Sequence, residues 1–375
     1  MEKSYNFIIK ITSTCNLNCS YCYMFNMGDN SFLRKPKIMH KEVATNALKR
    51  IFEYACRNNT KVVRITLHGG EPLLAGKEWM EWFFNEVLDL APDNLQVAVN
   101  IQTNGVLLDK QWIHLFSSYN IGIGISIDGP QEWHDKYRTD HLGRGSYKDV
   151  KRAINLLIAS EYSKIGWGVL SVANPEFSGV DIYNHFKSLG IKEMDFLWPD
   201  YHYDNPPKWP PGSLAQYYIG IFDQWYNDQD TTIKVRWING VIKALLVGTS
   251  NVSGLGGTPV TDVVIETDGS LEPYDAIRTC GNEMTRLGLN VVQDTIESLR
   301  ETDLFQMCAK NNDLLSNECL NCSILSVCGG GSIVHRWSGK NGFRNPSVYC
   351  QDLKLIIEHM QNRIISDLYQ HKIIS

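Results

Sequence analysis

Two groups of cysteines carry most of the chemistry this sequence can do. Cys15, Cys19 and Cys22 stand close together near the start of the chain, and Cys319, Cys322 and Cys328 form a second group that Cys350 can join. Three thiolates in one short loop are one ligand short of the four tetrahedral positions a structural zinc requires. They suit three corners of an iron–sulfur cube, which leaves the fourth iron open to a small chelating ligand. The second group, with four thiolates, fits zinc or an iron–sulfur cluster equally well. Cys280 and Cys308 are spare thiols, and Cys56 lies on a helical pattern where a core position is expected. Clusters of this kind in a long chain point to metal or redox sites in a reducing compartment rather than to a disulfide framework.

Other polar residues fall where apolar strand-like runs end. His68-Gly69-Gly70-Glu71-Pro72 closes one run, Gln102-Thr103-Asn104-Gly105 a second, and Ser126-Ile127-Asp128-Gly129-Pro130 a third, with Arg138 shortly after. Paired glycines let a backbone approach a ligand closely, and Glu71 offers an acceptor. The planar fork of Arg138 matches a carboxylate, although a surface ion pair is the plain alternative. Ser126 can equally cap a helix.

The elements that must position these residues alternate. Strands are expected at 6–12, 62–67, 97–102, 121–127, 165–172 and 194–198, with helical patterns at 41–57, 77–90, 108–118, 147–160 and 179–189. In the first helical pattern Val43, Ala47, Ile51 and Ala55 recur at the spacing of one buried face. Strand–helix alternation builds right-handed crossovers and a parallel sheet, with ligands at the carboxyl ends of its strands. Six such units fit an open sheet or an incomplete barrel. The stretch 199–211, rich in proline and aromatics, is a stiff loop: a domain connection or an aromatic lid over a substrate channel. Helices follow at 214–228 and 235–247. A glycine-rich segment at 254–257 then leads to a hairpin turning at Asp268-Gly269, and the last helix covers 351–369. The expected domains are 1–212, a helical connection at 213–261, and a second cysteine domain with a C-terminal helix at 262–375.

Composition narrows the class. The 375 residues are 43% hydrophobic and 21% charged, ordinary for a folded soluble chain. A net charge of −5 gives no support to nucleic-acid binding. No apolar run reaches the ~18 residues of a membrane span, and no secretory signal opens the chain, so a cytoplasmic location is expected.

The Cys-x3-Cys-x2-Cys spacing, with Tyr21 before the third cysteine and Gly-Gly-Glu-Pro one βα unit later, resembles the radical SAM superfamily. That resemblance implies a partial (β/α)6 barrel in an α/β fold. Cys15, Cys19 and Cys22 would hold a [4Fe-4S] cluster, and Gly69, Gly70 and Glu71 the amino group of S-adenosylmethionine. Ser126 and Arg138 would take the ribose and carboxylate, with Tyr21, Gln102 and Asn104 in the same cofactor site. The second group resembles the SPASM extension, an α+β iron–sulfur domain, in which Cys319, Cys322, Cys328 and Cys350 would hold one auxiliary [4Fe-4S] cluster. Where that pattern would place an inner cluster the chain has Ser332 and Tyr274, and serine and tyrosine are poor substitutes for thiolate on iron. One auxiliary cluster is therefore expected, not two. Cys280 and Cys308 are the remaining thiols an unorthodox inner site could recruit. Asp275 falls where sulfatase-maturing relatives carry their proton acceptor, with Glu272 the alternative base.

The implied activity is that of an oxidoreductase that abstracts a side-chain hydrogen from a ribosomally made precursor peptide with the 5′-deoxyadenosyl radical. The segment from Phe196 to Pro207 looks like cyclophane-forming maturases, which join an aromatic ring to a nearby β-carbon. Formylglycine formation as in sulfatase maturases, thioether formation or epimerisation on a peptide are the alternatives. A non-catalytic iron–sulfur or zinc scaffold, or an electron-transfer protein, is the alternative of another class. The implied partners are the precursor peptide, a flavodoxin- or ferredoxin-type reductant and a separate leader-recognition protein.

Overall fold

The structure is a computed structural model that describes residues 4–159 and 166–370. The chain forms two compact units. One comprises residues up to Val169 together with Thr261–Cys308, and the other Leu170–Val260 with the chain from Ala309 onward.

In the first unit, β1 (Ser4–Thr12), β2 (Val62–Gly69), β3 (Gln96–Thr103) and β4 (Gly122–Ser126) run parallel and side by side, in register from Phe7 opposite Ile65 to Ile101 opposite Ile123. Beyond β4 lies the start of β5 (Trp167–Val172). The helices between strands are α1 (Lys41–Arg57), α2 (Lys77–Leu90), α3 (Lys110–Ser118), α4 (Gln131–Tyr137) and α5 (Tyr147–Ile158). In α1 the buried face is Ala44, Ala47, Leu48, Ile51, Phe52 and Ala55. Cys56, expected in the core, is exposed, because it stands about 100° round the helix from Ala55. Asp109 caps α3 by accepting from the Trp112 amide. The expected ends of the fourth helical pattern and fifth strand, at Ser160 and Ile165, lie outside the described residues.

The hairpin seen in the sequence does more than turn. Its first strand, β8 (Val263–Ile265), lies parallel to β1 on the side away from β2, and β9 (Leu271–Glu272) pairs antiparallel with β8. Residues far along the chain thereby come to the mouth of β1.

In the second unit, β6 (Glu193–Leu197) pairs in parallel with the two-residue β7 (Lys234–Val235). Around them lie α6 (Gly179–Ser188), α7 (Ser213–Asp228), α8 (Arg236–Val247) and the C-terminal helix Cys350–Gln370. Asp195 of β6 accepts from the Trp237 amide at the start of α8. Asp352 of the last helix accepts from the Ala215 amide of α7. No helix of the described residues is long and apolar enough to cross a membrane.

Candidate active site

The cysteine loop leaves β1 directly and is held by backbone bonds to its neighbours. The end of β2 continues alongside it: the Gly70 amide donates to Thr12 O and the Glu71 amide to Thr14 O, both at 2.9 Å. A Cβ on Gly70 would lie 2.1 Å from Thr14 O, and one on Gly69 2.3 Å from Thr12 O. The close approach these glycines permit is thus to the chain's own cysteine loop. Gly69 also has a φ of 142°, a region other residues rarely adopt.

Glu71 is turned inward and fully buried. Its carboxylate accepts from the Leu73 amide, the Thr103 hydroxyl and the Asn104 amide, which ties the ends of β2 and β3 together. Burial pushes this carboxyl up to about 7, against three bonds that favour its charged form. Asn104 in turn donates to Asn16 Oδ1 at 2.8 Å and approaches Cys15 Sγ at 3.7 Å. Gln102 donates to Ser126 Oγ at 2.9 Å. Arg138 is buried and paired with Asp128 at 2.8 Å, and Tyr21 donates its hydroxyl to the same carboxylate. Arg138 therefore makes an interior ion pair in place of the surface pair that was its plain alternative.

The donor set, three cysteine sulfurs in one loop, fits an iron–sulfur group. Burial pushes the Cys15 thiol up to about 12 and Cys19 to about 11, and raises Cys22. Desolvated thiols of this kind ligate as thiolates only where a cation compensates them. The Leu17 amide donates to Cys15 Sγ at 3.4 Å. Among the described residues, no three His, Cys, Asp or Glu side chains are placed to hold a single metal ion. A cavity of about 440 Å³, lined by Cys15, Leu17, Phe25, Phe32 and His141 among others, opens beside the loop and is of small-ligand size.

At the mouth of β1 stands a cluster that strand alternation does not reveal. Lys10 is fully buried, and its Nζ lies 2.8 Å from Asp275 Oδ2 and 3.3 Å from Tyr23 Oη. Tyr23 donates to the same Asp275 oxygen at 2.6 Å. Burial alone would push Asp275 up, but the charges of Lys10 and Arg278 outweigh it and hold the carboxyl well below the usual range. His68 packs near Tyr23, and burial with the Lys10 charge lowers it to about 4, so it is neutral at pH 7. Its Nδ1 is buried with no hydrogen-bond partner among the described residues.

Glu272, the alternative base, belongs to a different network. It accepts from Lys35 Nζ at 2.8 Å, Arg278 at 3.1 Å and the Thr285 hydroxyl at 2.6 Å. Arg278, fully buried, also pairs with Glu266 at 2.6 Å and Asp29 at 3.4 Å. Ionic side chains therefore pack tightly around the segment that follows Tyr274. Cys280 and Cys308 are buried free thiols.

In the second unit, burial raises Cys328 to about 12 and also raises Cys350, and the charges of Cys319 and Cys322 act on both. Gly329, Gly330 and Gly331 all have positive φ. A Cβ on Gly329 would meet Gly257 N at 2.5 Å, so the glycine-rich 254–257 segment exists to pack against the turn after Cys328. The aromatic loop is tied within this unit. The Tyr349 hydroxyl donates to Pro199 O at 3.0 Å, the Tyr203 amide to Trp337 O at 3.0 Å, and the Gly339 amide to Asp204 Oδ2 at 2.7 Å. Trp198 stacks on Tyr218 with centroids 4.6 Å apart.

Comparisons with known proteins agree with this arrangement. The profile of the Radical SAM superfamily matches residues 9–175. The cysteine-type anaerobic sulfatase-maturating enzyme of Clostridium perfringens (strain 13 / Type A) is 30% identical over 368 residues, 95% of each chain. The serine-type enzyme of Bacteroides thetaiotaomicron is 26% identical over 360 residues, 89% of this chain and 83% of that one. The solved structure of native anSMEcpe with bound AdoMet and Cp18Cys peptide superposes with a TM-score of 0.84 at 27% identity, covering 98% of this chain and 99% of that one. The chain is a radical SAM enzyme, a member of the SPASM-type family of peptide and protein maturases that includes the anaerobic sulfatase-maturating enzymes.

Proposed function

We propose that this enzyme modifies a ribosomally made precursor peptide by joining an aromatic ring to the β-carbon of a nearby residue. Cys15, Cys19 and Cys22 would hold the [4Fe-4S] cluster that, with S-adenosylmethionine, supplies a hydrogen-abstracting radical when bound. Gly69, Gly70 and Asn104 shape the cofactor side of the loop, Ser126 and Gln102 line the ends of β3 and β4, and Glu71 braces them. Cys319, Cys322, Cys328 and Cys350 would hold one auxiliary [4Fe-4S] cluster, whose chemistry there is to accept an electron. Asp275 is the proton acceptor for the ring C–H. It is ionised at neutral pH, held by Lys10 and Tyr23, and shielded from water. Forming one C–C bond at the expense of two C–H bonds removes two hydrogens from the peptide, one as an atom and one as a proton with an electron.

The observation that supports this over formylglycine formation is the ground after β9. Tyr274 and the Arg278–Glu266–Glu272–Lys35 network occupy the segment where the resemblance would place inner-cluster thiolates. The test joins composition to chemistry. Reconstituted protein should carry about eight irons, falling to about four in a Cys15/Cys19/Cys22→Ala variant. Incubated with S-adenosylmethionine, reductant and synthetic peptides that each carry one Trp, Tyr or Phe, the enzyme should yield a product lacking two hydrogens with a ring-to-Cβ link by NMR. A count near twelve irons, or conversion of cysteine or serine to formylglycine without a cross-link, refutes the proposal.

A further inference from the structure

Arg336 is the most exceptional charge in the second unit. Its side chain is wholly buried, yet among the described residues no carboxylate pairs with it. One nitrogen, Nη2, donates to the carbonyl of Asn311 at 3.1 Å and to that residue's side-chain oxygen. Nε and Nη1 have no hydrogen-bond partner among the described residues. A guanidinium remains charged in any protein, and an unpaired buried charge costs far more than two neutral acceptors return. The interior around it must therefore supply negative charge.

The source of that charge is visible in what surrounds it. Nη1 lies over the turn that follows Cys328, 3.3 Å from where a Cβ on Gly330 would stand. Burial lowers the Arg336 guanidinium to about 10, and the charges that would act against this are those of Cys319 and Cys328 as thiolates. As thiols these are neutral. As four thiolates around an iron–sulfur cube, the second cysteine group is doubly negative when oxidised and triply negative when reduced.

We infer that Arg336 is the built-in counter-charge of the auxiliary cluster and sets its reduction potential, an inference that rests on the auxiliary-cluster reading above. A fixed cation beside the cube favours the more negative, reduced form, so it makes the cluster a better electron acceptor. A Cβ on Gly330 would meet Leu315 Cδ2 at 2.4 Å as well as Nη1 at 3.3 Å, so the glycine lets this turn pack closely. Arg336 acts through the cluster and touches no substrate; it is a positioning residue.

The experiment uses the full chain in the Cys15/Cys19/Cys22→Ala background, so that one cluster is read. The midpoint potential is followed by EPR-monitored redox titration in that parent and in Arg336→Met and Arg336→Lys. Arg336→Met should lower the equilibrium constant for reduction at least tenfold, a fall of about 59 mV or more for one electron, while Arg336→Lys stays close to the parent. If Arg336→Met fails to retain iron, retention with a near-parent potential in Arg336→Lys still supports a charge role. Equal potentials in parent and Met variant, or loss of the cluster in Lys and Met alike, overturn it. A parent that shows no [4Fe-4S] signal removes the auxiliary-cluster reading itself, which separates that failure from this one.

Discussion

Replacing Lys10 by methionine removes the cation that pairs with the Asp275 carboxylate and leaves a side chain of similar length in β1. At the observed 2.8 Å, an effective dielectric of about 20 gives an attraction of about 6 kcal/mol. At about 1.36 kcal/mol per pH unit, this is a rise of at most about 4 units in the Asp275 pKa. The Tyr23 hydroxyl bond and the charge of Arg278 remain, so the carboxyl stays partly stabilised. In the wild type the folded pKa lies below the unfolded one. Asp275 therefore contributes stability above about pH 3.9 and loses it as pH falls toward the folded value. In Lys10→Met the acid limb of peptide modification should move to higher pH, into a range where the wild type is still flat. Unfolding in urea should show a loss of about 3–5 kcal/mol at pH 7, the usual cost of orphaning one member of a buried pair. The double variant Lys10→Met/Asp275→Asn, which removes both charges, should recover much of that stability while remaining inactive. The reasoning fails if Lys10→Met has a wild-type pH–rate profile and unfolds within about 1 kcal/mol of the parent.

Two more changes test the frame around the site. Gly70→Ala places a methyl 2.1 Å from Thr14 O, without any φ penalty to confuse the result, so the cysteine loop must shift. Iron bound by the first group should drop from about four toward none while the second group keeps its complement, and unchanged iron would show that the loop yields freely. Arg278→Met takes the guanidinium from Asp29, Glu266 and Glu272, leaves Glu266 and Glu272 to share Lys35, and should cost about 3–5 kcal/mol in urea unfolding. Burial raises Glu266, but the Arg278, Lys10 and Lys35 charges bring it down to about 2. Its contribution is therefore present above about pH 4.5 and is lost as pH falls from there toward 2. Without Arg278 that acid loss should begin at higher pH, and identical melts for the two proteins at pH 7 and 4 would count against the network.

The sequence made local structure legible wherever spacing alone determines it. The helices at 41–57 and 77–90 coincide with their expected limits, and the five strands whose ends are described depart by one or two residues. Cysteine spacing and the Gly-Gly-Glu-Pro segment pointed to the radical SAM family for the same reason, since each is a local pattern. What the sequence concealed is long-range. Lys10 alternates with Phe7, Ile9 and Ile11 and so reads as the solvent face of β1. It is buried because β8 lies against that strand and brings Asp275, 265 positions later, across its end. The Cys56 error came from extending a helical pattern one residue past its buried stripe.

Both hidden cations, Lys10 and Arg336, follow one physical rule. A lysine in a strand and an arginine near a loop have surface positions by default, because desolvating either is costly. Each is nevertheless wholly buried here. Lys10 meets its anion among the protein's own carboxylates, and the result is a carboxylate that stays ionised at neutral pH. Arg336 meets no carboxylate among the described residues, but its Nη1 lies over the turn that follows Cys328. The same cost therefore leads to two different chemistries. In the first unit, under the proposed function, a fixed charge keeps a proton acceptor ready, and in the second, under the inference above, it makes an electron acceptor stronger. Aromatic coupling requires both capacities, because a ring that gains a carbon bond must lose a proton and an electron to regain aromaticity.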